Sequence, residues 1–266
     1  MNQPLQPTDL YQLLENQYFG ESMHERDEIE HLPELLKGVS LFVDVGASLG
    51  QYSFFSNQIL KGSRIFCIEA DPVRVQRLRE LAAEWQQKST NRITVIHAAA
   101  AKQVGKVEFF TTGANVSGGL FIHDPGDLAT QKSIQWSKSE VECISLDSLF
   151  PNLDPDLIKI DVEGSEYTVL SGARRILEKG KCRFLVEVHP WGDKVANKMP
   201  ADVFRLFMHF GYGFKRTHRH WLFEKSNALT RVIKGKLIII IMENAWLKSA
   251  AKRCALSLGG LGRRTS

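Results

Sequence analysis

Apolar and polar positions from residue 40 onward alternate between the period of a strand and the period of a helix. Leu41–Val45 is an apolar run typical of a buried strand, residues 51–60 place their apolar side chains on one helical face, and Arg64–Glu69 is predicted as the next strand. Asp71 and Pro72 then begin a helix, because aspartate is a preferred N-cap and proline suits the first helical position. Residues 92–98 form a third predicted strand.

The alternation is interrupted once and then resumes. Residues 106–110, 118–123 and 141–145 have the pattern of short strands, which we interpret as an insertion over the crevice at the strand ends. Residues 156–161 are the fourth parallel strand, followed by a helix at 165–178. The remaining predicted elements are a fifth strand at 184–188, a helix at 201–210 and weaker strands at 212–215, 221–224 and 237–242. Strands that alternate with helices predict an α/β fold with a doubly wound, mostly parallel seven-stranded sheet.

Two of these strands end in the same arrangement of apolar residues, an acidic residue and a glycine turn. One is Leu-Phe-Val-Asp-Val-Gly-Ala-Ser-Leu-Gly at residues 41–50, and the other is Asp-Leu-Ile-Lys-Ile-Asp-Val-Glu-Gly at residues 156–164. Polar groups at the carboxyl ends of parallel strands usually face a ligand crevice. We therefore predict that Asp44 and Asp161 belong to one shared site.

The glycine turn could hold a dinucleotide or S-adenosylmethionine, and two details distinguish them. The turn lacks the G-x-G-x-x-G spacing of a dinucleotide fingerprint. Asp44 would repel an anionic pyrophosphate, whereas a sulfonium and an α-amino group would be attracted to it. Glu69 is placed to accept hydrogen bonds from ribose hydroxyls of either ligand, or it caps the helix that follows. The charge pattern favours S-adenosylmethionine.

Several segments, read together, resemble the FkbM-type S-adenosylmethionine-dependent methyltransferases. The resemblance covers about residues 40 to 215 and implies the class I methyltransferase, or Rossmann-like, form of the predicted fold. The segments that carry it are residues 44–50, 68–72, 98–105, 146–147, 158–164 and 186–190.

The resemblance implies which residues bind the cofactor. Asp44, Gly46 and Gly50 would form the cofactor loop, and Glu69 would bind the ribose. The full predicted cofactor set is Asp44, Gly46, Ala47, Ser48, Gly50, Glu69, Ala70, Asp71, Ala98 and Ala99. Ser48 departs from the asparagine we expect in many relatives. Residues 98–101 are all alanine and offer no carboxylate to the adenine amino group, so backbone atoms or residues 115–119 would make that contact.

Methyl transfer to a hydroxyl needs a positioned acceptor and a group that takes its proton. The candidate catalytic residues are Asp161, after the fourth strand, and Glu187 and His189, at the end of the fifth. Glu163 could serve only the turn into the next helix, and His189 could only bond a loop carbonyl. A divalent metal held by Asp161, Glu187 and His189 is chemically possible, but no spacing demands it and we predict no metal site.

Composition adds few constraints to this interpretation. A chain of 266 residues that is 43% hydrophobic is ordinary for one large globular domain. Its four cysteines have no metal-type spacing, which favours reduced thiols. Residues 1–14 lack the pattern of a secretory signal, and the longest aliphatic run is too short to cross a bilayer. We therefore expect a cytoplasmic protein with an N-terminal helical segment at 1–39, a methyltransferase domain at 40–245 and a tail at 246–266.

The net charge of +4 is concentrated near the C-terminus. Residues 215–266 contain 12 Lys or Arg and 2 acidic residues, so they carry +10 and the rest of the chain carries −6. The tail has amphipathic helical spacing and could contact an anionic membrane surface, dock on the domain or remain frayed. No nucleic-acid motif accompanies the charge, so we predict no nucleic-acid partner.

The sequence thus predicts an S-adenosylmethionine-dependent O-methyltransferase that acts on a hydroxyl of a sugar, another small molecule or a natural-product scaffold. The prediction that the acceptor is a hydroxyl rests mainly on the family resemblance. Two alternatives remain: a non-catalytic protein that binds S-adenosylmethionine, and an NAD-linked oxidoreductase, which the glycine spacing disfavours. The oligomeric state is left open.

Overall fold

The computed structural model describes residues 26–111, 120–121 and 137–226. Within these ranges it contains strands that follow the predicted order closely. The strands are β1 (Leu41–Val45), β2 (Arg64–Glu69), β3 (Arg92–His97), β4 (Ala99–Ala100), β5 (Gly105–Thr111), β6 (Leu120–Phe121), β7 (Ser137–Ile144), β8 (Leu157–Ile160), β9 (Arg183–Val186), β10 (Tyr212–Arg216) and β11 (Trp221–Lys225).

Helices separate most of these strands and cover both faces of the larger sheet. The helices are α1 (Arg26–Glu30), α2 (Leu32–Leu35), α3 (Gln51–Ile59), α4 (Pro72–Gln87), α5 (Leu146–Leu149), α6 (Glu166–Ser171), α7 (Arg174–Lys179) and α8 (Pro200–His209). Among the described residues, none of these helices is long and apolar enough to cross a membrane.

The larger sheet has seven strands in the order β10-β11-β9-β8-β1-β2-β3. Strands β3, β2, β1, β8 and β9 are parallel, whereas β11 runs antiparallel to both of its neighbours. This confirms the predicted doubly wound, mostly parallel seven-stranded sheet. The hairpin of β10 and β11 completes it, so the predicted strand at 237–242, which lies outside the described residues, is not needed for that count.

Alternate residues of the central strands enter two separate cores. Ile158 and Ile160 of β8 pack on one face of the sheet, with α6, α7 and α8, in a core rich in phenylalanine. Leu157 of β8 packs on the other face with α2, α3 and α4. Because side chains alternate across a strand, Lys159 and Asp161 must follow Leu157 toward the second face. The sheet therefore directs these two polar residues to the same side.

The predicted insertion forms a second sheet beside the first. It has four strands in the order β4-β7-β5-β6, and β5 pairs with β7 over seven residues from Gly105 to Thr111. Residues 115–119, which we considered for the contact to adenine, lie outside the described residues. The same holds for residues 1–25 and for the tail at 246–266.

The helix predicted at 165–178 is wrong as a single element, because the structure divides it into α6 and α7. At the break, a Cβ atom on Gly172 would lie 2.1 Å from the carbonyl oxygen of Ala101, so only glycine permits this approach of the two backbones. Asp147 then caps the second piece by accepting hydrogen bonds from the amides of Arg175 and Ile176, at 2.8 and 3.2 Å.

The cysteines that the structure describes are reduced, as the sequence predicts. Cys67, Cys143 and Cys182 are free and buried. Burial raises the pKa of Cys67 to about 12, with the Asp44 carboxylate adding to the effect, so this thiol stays protonated in the core.

A buried carboxylate joins α1 to the β10–β11 hairpin. Glu28 is 1% exposed, accepts a hydrogen bond from Thr217 and one from the amide of Arg219 at 2.7 Å, and lies 3.2 Å from Nδ1 of His220. Burial alone would raise the pKa of Glu28, but the hydrogen bonds and the charge of His220 lower it from 4.5 to about 2.

This contact predicts how stability depends on acid. A carboxylate whose folded pKa is lowered stabilises the fold above its unfolded pKa and loses that contribution as pH falls toward the folded value. The free energy of unfolding should therefore fall between about pH 4.5 and 2. Glu28→Gln should remove that slope and cost on the order of 3 kcal/mol at pH 7, measured by urea denaturation. Glu30→Gln, exposed on the same helix, is the control, and an unchanged acid slope in Glu28→Gln would refute the assignment.

Candidate active site

The glycine loop after β1 lies directly against the end of β8. Gly46 has φ +73°, and a Cβ atom there would lie 1.8 Å from the carbonyl oxygen of Asp161. The amides of Gly46 and Ala47 donate to the carbonyl oxygen of Ile68, at 2.9 and 3.1 Å, which fixes the loop to the end of β2. The loop thus joins three neighbouring strand ends, as the shared-site prediction requires. Gly50, with φ +83°, ends the loop where a Cβ atom would contact Leu78 of α4.

Glu69 holds this loop from the end of β2. Its two carboxylate oxygens accept hydrogen bonds from the amides of Ser48 and Asp71, at 2.7 and 2.8 Å. Burial raises the pKa of Glu69 despite these bonds and despite the charge of Arg74. Burial thus disfavours the ionised form of Glu69 more than its two amide donors stabilise it.

The residues around Glu69 fit the adenosine part of S-adenosylmethionine. A carboxylate oxygen can accept more than one hydrogen bond, so both oxygens of Glu69 can still accept from ribose hydroxyls. Those donors would stabilise the ionised form that burial disfavours. Asp71 is the helix cap, because its Oδ1 accepts from the amides of Val73 and Arg74 at 2.7 and 3.0 Å. Glu69 is thus not the cap of α4, and its role toward a ribose stays a prediction.

The alanines predicted to contact the cofactor lie at the ends of β2 and β3, and their contact with a cofactor stays a prediction. Ala98 is 2% exposed and its amide donates to the carbonyl oxygen of Glu69 at 3.0 Å, while Ala99 begins β4 and is 3% exposed. Ala70 accepts a hydrogen bond at its carbonyl oxygen from His97, at 3.1 Å. Ala99 and Ala70 pack with Phe109 and Val141 of the second sheet, and the backbone bond from Ala98 holds the end of β2 in place.

A buried lysine that the sequence reasoning missed connects Asp44 with Asp161. Asp44 and Lys159 are register partners on β1 and β8, and Nζ of Lys159 lies 3.6 Å from Asp44 and 3.3 Å from Asp161. Ser53 of α3 donates to Asp44 at 2.8 Å, and the Lys159 ammonium lies 4.8 Å from the centre of the Tyr52 ring. A lysine inside the apolar run Leu-Ile-Lys-Ile was the available signal, since lysine is almost never fully buried without a partner.

Lys159 sets the charge state of the strand end. Burial would raise the pKa of Asp161, but the Lys159 ammonium lowers it below its ordinary value, and His220 and His189 act in the same direction. Asp161 is therefore ionised at neutral pH. Its side chain is 20% exposed, so the carboxylate is accessible from the crevice.

The predicted catalytic residues converge beside this carboxylate. Three side chains, those of Asp161, Glu187 and His189, each bring one nitrogen or oxygen atom to the cluster. These three atoms lie within 4.8 Å of one another. Nε2 of His189 lies 4.0 Å from Asp161 and 3.3 Å from Glu163. Glu163 has φ +52°, so it forms the turn after β8 and also brings a carboxylate to the cluster.

Glu166, at the start of α6, orients His189 and was not singled out in the sequence. Its Oε1 lies 2.7 Å from Nδ1 of His189, and because a carboxylate only accepts, Nδ1 carries a proton. Burial would lower the pKa of His189, but Glu166, with Glu163 and Asp161, raises it to about 9. At neutral pH the imidazole in this structure is protonated, so it is a hydrogen-bond donor and a positive charge and not a base.

Two further carboxyl groups have raised pKa values, in contrast to the lowered pKa of Asp161. Burial raises the pKa of Glu187, and the negative charge of Asp161 adds to it. Burial also raises the pKa of Glu163, which His189 opposes. Arg219 lies 3.5 Å from Glu187 at the rim. Carboxyl groups with raised pKa values next to an ionised one are typical of functional sites.

The strand order, the reversed strand β11 and the glycine loop at the end of β1 define the class I methyltransferase fold. Within that class the chain belongs to the FkbM methyltransferases, because residues 44–215, more than half of its length, match the model of the methyltransferase FkbM domain. This confirms the predicted family. It also supports S-adenosylmethionine as the cofactor that the glycine loop and Glu69 fit.

Solved structures similar to this chain include methyltransferases of several kinds. Methyltransferase FkbM from Methylobacillus flagellatus KT is 22% identical with a TM-score of 0.47, over 70% of this chain and 43% of that one. Precorrin-6y C5,15-methyltransferase from Geobacter metallireducens is 13% identical with a TM-score of 0.45, over 80% and 96%. Aeropyrum pernix fibrillarin with bound S-adenosyl-L-methionine is 15% identical with a TM-score of 0.40, over 72% and 71%. A comparison with curated protein sequences gave no match.

The Lys159 contacts predict a large loss of stability when the ammonium is removed. Lys159→Met should lower the free energy of unfolding by about 3 to 5 kcal/mol, because it leaves the buried Asp44 and the partly buried Asp161 without their cation. Urea denaturation measures this, and Lys106→Met, at an exposed lysine, is the control expected within about 0.5 kcal/mol of wild type. Adding Asp44→Asn to Lys159→Met should recover part of the loss. A Lys159→Met protein as stable as wild type would contradict the assignment.

Proposed function

We propose that this protein transfers a methyl group from S-adenosylmethionine to a hydroxyl of a saccharide or another small molecule. The observation that carries the proposal is the contact between the glycine loop and the end of β8, where Gly46 approaches the backbone of Asp161 closely. A methyl donor seated on the loop would have the cluster of Asp161, Glu187 and His189 beside it. Donor and acceptor chemistry would then meet in one crevice.

The residues of the cluster have distinct roles in this proposal. S-adenosylmethionine supplies the methyl group, which moves to the acceptor oxygen as its bond to sulfur breaks, and S-adenosylhomocysteine leaves. Asp161, ionised because of Lys159, orients the acceptor hydroxyl, and a carboxylate of the cluster takes its proton during the transfer. His189, held by Glu166, adds to the effect of Lys159 on the pKa of Asp161.

A saccharide acceptor is supported by an exposed tryptophan at the edge of the cluster. The ring of Trp191 is 43% exposed and its centre lies 4.7 Å from that of His189. Its indole nitrogen donates to the carbonyl oxygen of Glu163 at 3.2 Å, which fixes the ring. A rigid aromatic face beside several carboxylates suits a ring that is apolar on its faces and carries hydroxyls on its rim.

The two alternatives from the sequence differ in their support. The family match gives no support to an NAD-linked oxidoreductase, and the loop lacks the dinucleotide spacing. A non-catalytic protein that binds S-adenosylmethionine would keep Glu69 and the glycine loop, but it would have no need for the ionisable cluster beyond them. The cluster therefore favours an enzyme.

Turnover distinguishes an enzyme from a binding protein. The protein should convert S-adenosylmethionine to S-adenosylhomocysteine only when a panel of hydroxylated acceptors contains its substrate, and the product should gain about 14 daltons as a methoxy group visible by NMR. A mass gain on an amine or a ring carbon would overturn O-methylation. Binding of S-adenosylmethionine by calorimetry without turnover on any saccharide or small-molecule hydroxyl acceptor would favour the non-catalytic alternative.

Trp191 should affect the acceptor and not the methyl donor. Trp191→Ala should raise KM for the saccharide by about fivefold, because stacking on an aromatic face contributes on the order of 1 kcal/mol, while the Kd for S-adenosylmethionine stays unchanged. Trp191→Phe keeps an aromatic face but loses the hydrogen bond to Glu163, so it should retain most of the affinity for the acceptor. Equal KM values for Trp191→Ala and wild type would remove the support for a saccharide.

A further inference from the structure

We propose that Asp161, Glu187 and His189 form a binding site for a divalent cation, with Mn²⁺ as the ion that suits them best. The catalytic role of this ion rests on the proposed function, because it would lie where the acceptor hydroxyl is bound. Its binding does not, because the site consists only of side chains at the ends of β8 and β9.

The three side chains are close enough together to bind one metal ion. Their ligand atoms lie within 4.8 Å of one another. Adjacent ligands of an octahedral ion are about 3 Å apart when each is about 2.1 Å from the metal, so small rotations of two carboxylates are enough. Asp161 and Glu187 are 20% and 16% exposed, which lets an ion reach them from the crevice.

Glu166 supplies an independent observation. Histidines that bind a metal usually donate their other ring N–H to a carboxylate, which fixes the tautomer and leaves the second nitrogen as the ligand. His189 has this arrangement, since Nδ1 lies 2.7 Å from Glu166 and Nε2 faces Asp161 and Glu163. Glu166 is 2% exposed and also accepts a hydrogen bond from the amide of Gly164 at 2.9 Å, so it is fixed in this position.

The local charge favours an added cation. Asp161, Glu163 and Glu187 bring three carboxylates around Nε2 of His189, and Glu166 brings a fourth behind it. Among the described side chains, the nearby cations are Lys159, which is shared between Asp44 and Asp161, Arg219 at the rim, and the imidazoles of His189 and His220. A divalent ion would displace the proton from Nε2 and relieve the repulsion among the carboxylates.

The ligand set indicates the type of ion. One imidazole and two carboxylates are harder than a zinc site built from thiolates and softer than the all-oxygen sites of Mg²⁺, which makes Mn²⁺ the best match. Three protein ligands leave positions for water and for an acceptor hydroxyl. A hydroxyl bound to the ion would lose its proton more readily, and Glu163, a carboxylate of the cluster that does not bind the ion, would accept that proton. The ion would stabilise the developing negative charge on the acceptor oxygen while the bond from the methyl group to sulfur breaks.

Binding of Mn²⁺ to the full chain tests the site directly. Protein stripped with a chelator is titrated with Mn²⁺ in the absence of methyl donor and acceptor, and the free ion is followed by electron paramagnetic resonance. We expect about one ion per chain. Asp161→Asn and Glu187→Gln should weaken binding at least tenfold, and Glu166→Gln by about 10- to 100-fold through His189.

The controls separate a specific site from surface binding and from misfolding. Glu80→Gln, an exposed carboxylate on α4, should bind Mn²⁺ as wild type does. Circular dichroism of each variant checks the fold, and Glu187→Gln keeps its size and lies near the rim, so it provides the decisive comparison if Asp161→Asn is unstable. Absence of one-to-one binding, or equal affinity in Glu187→Gln and wild type, would overturn the site.

The result is independent of the test of the proposed function. Mn²⁺ binding that depends on Glu187, in a protein without methyl transfer activity, would support the site and refute the function. Full turnover of chelator-treated protein that binds no Mn²⁺ would support the function and refute the site.

Discussion

The arrangement of this crevice depends on one buried ammonium. Lys159 lies in the middle of β8, 3% exposed, within 3.6 Å of Asp44 on the neighbouring strand and 3.3 Å of Asp161 at the strand end. Each of these charges alone would cost several kcal/mol to bury, and two carboxylates on one face of a sheet would repel each other. With the lysine between them, β1 and β8 can both end in an acidic residue at the same edge.

That placement has consequences for the rest of the site. Because the two strand ends are adjacent, the loop after β1 passes directly over the backbone of Asp161, and only glycine at position 46 permits the contact. Lys159 also keeps Asp161 ionised, whereas burial raises the pKa of Glu187 nearby. The crevice therefore contains carboxyl groups with different proton affinities within hydrogen-bonding reach of one small molecule, which acid–base chemistry requires.

Local patterns predicted the elements well, and contacts between distant residues account for what they missed. The strands and the cap at Asp71 follow from periodicity and from nearest neighbours in sequence. The break between α6 and α7 could not be predicted, because it depends on the carbonyl of Ala101 approaching Gly172. Lys159 and Glu166 were missed because their roles depend on the strand register and on a contact across 23 residues with His189. The sequence assigned Asp44 to the methyl donor from its negative charge alone, because its partner Lys159 had not been identified.

Lys159, the partner of Asp44, weakens the electrostatic preference of Asp44 for a cationic sulfonium over an anionic pyrophosphate but does not reverse it. If Asp44 were neutralised completely, its preference for a sulfonium over a pyrophosphate would vanish. Lys159, however, is shared between two carboxylates, so the formal charges of Asp44, Lys159 and Asp161 still sum to −1. This residual charge lies between the glycine loop and the acceptor cluster. A cationic sulfur placed there would be attracted to it, and the attraction would weaken as the methyl group leaves and the sulfur becomes neutral, which assists release of the product.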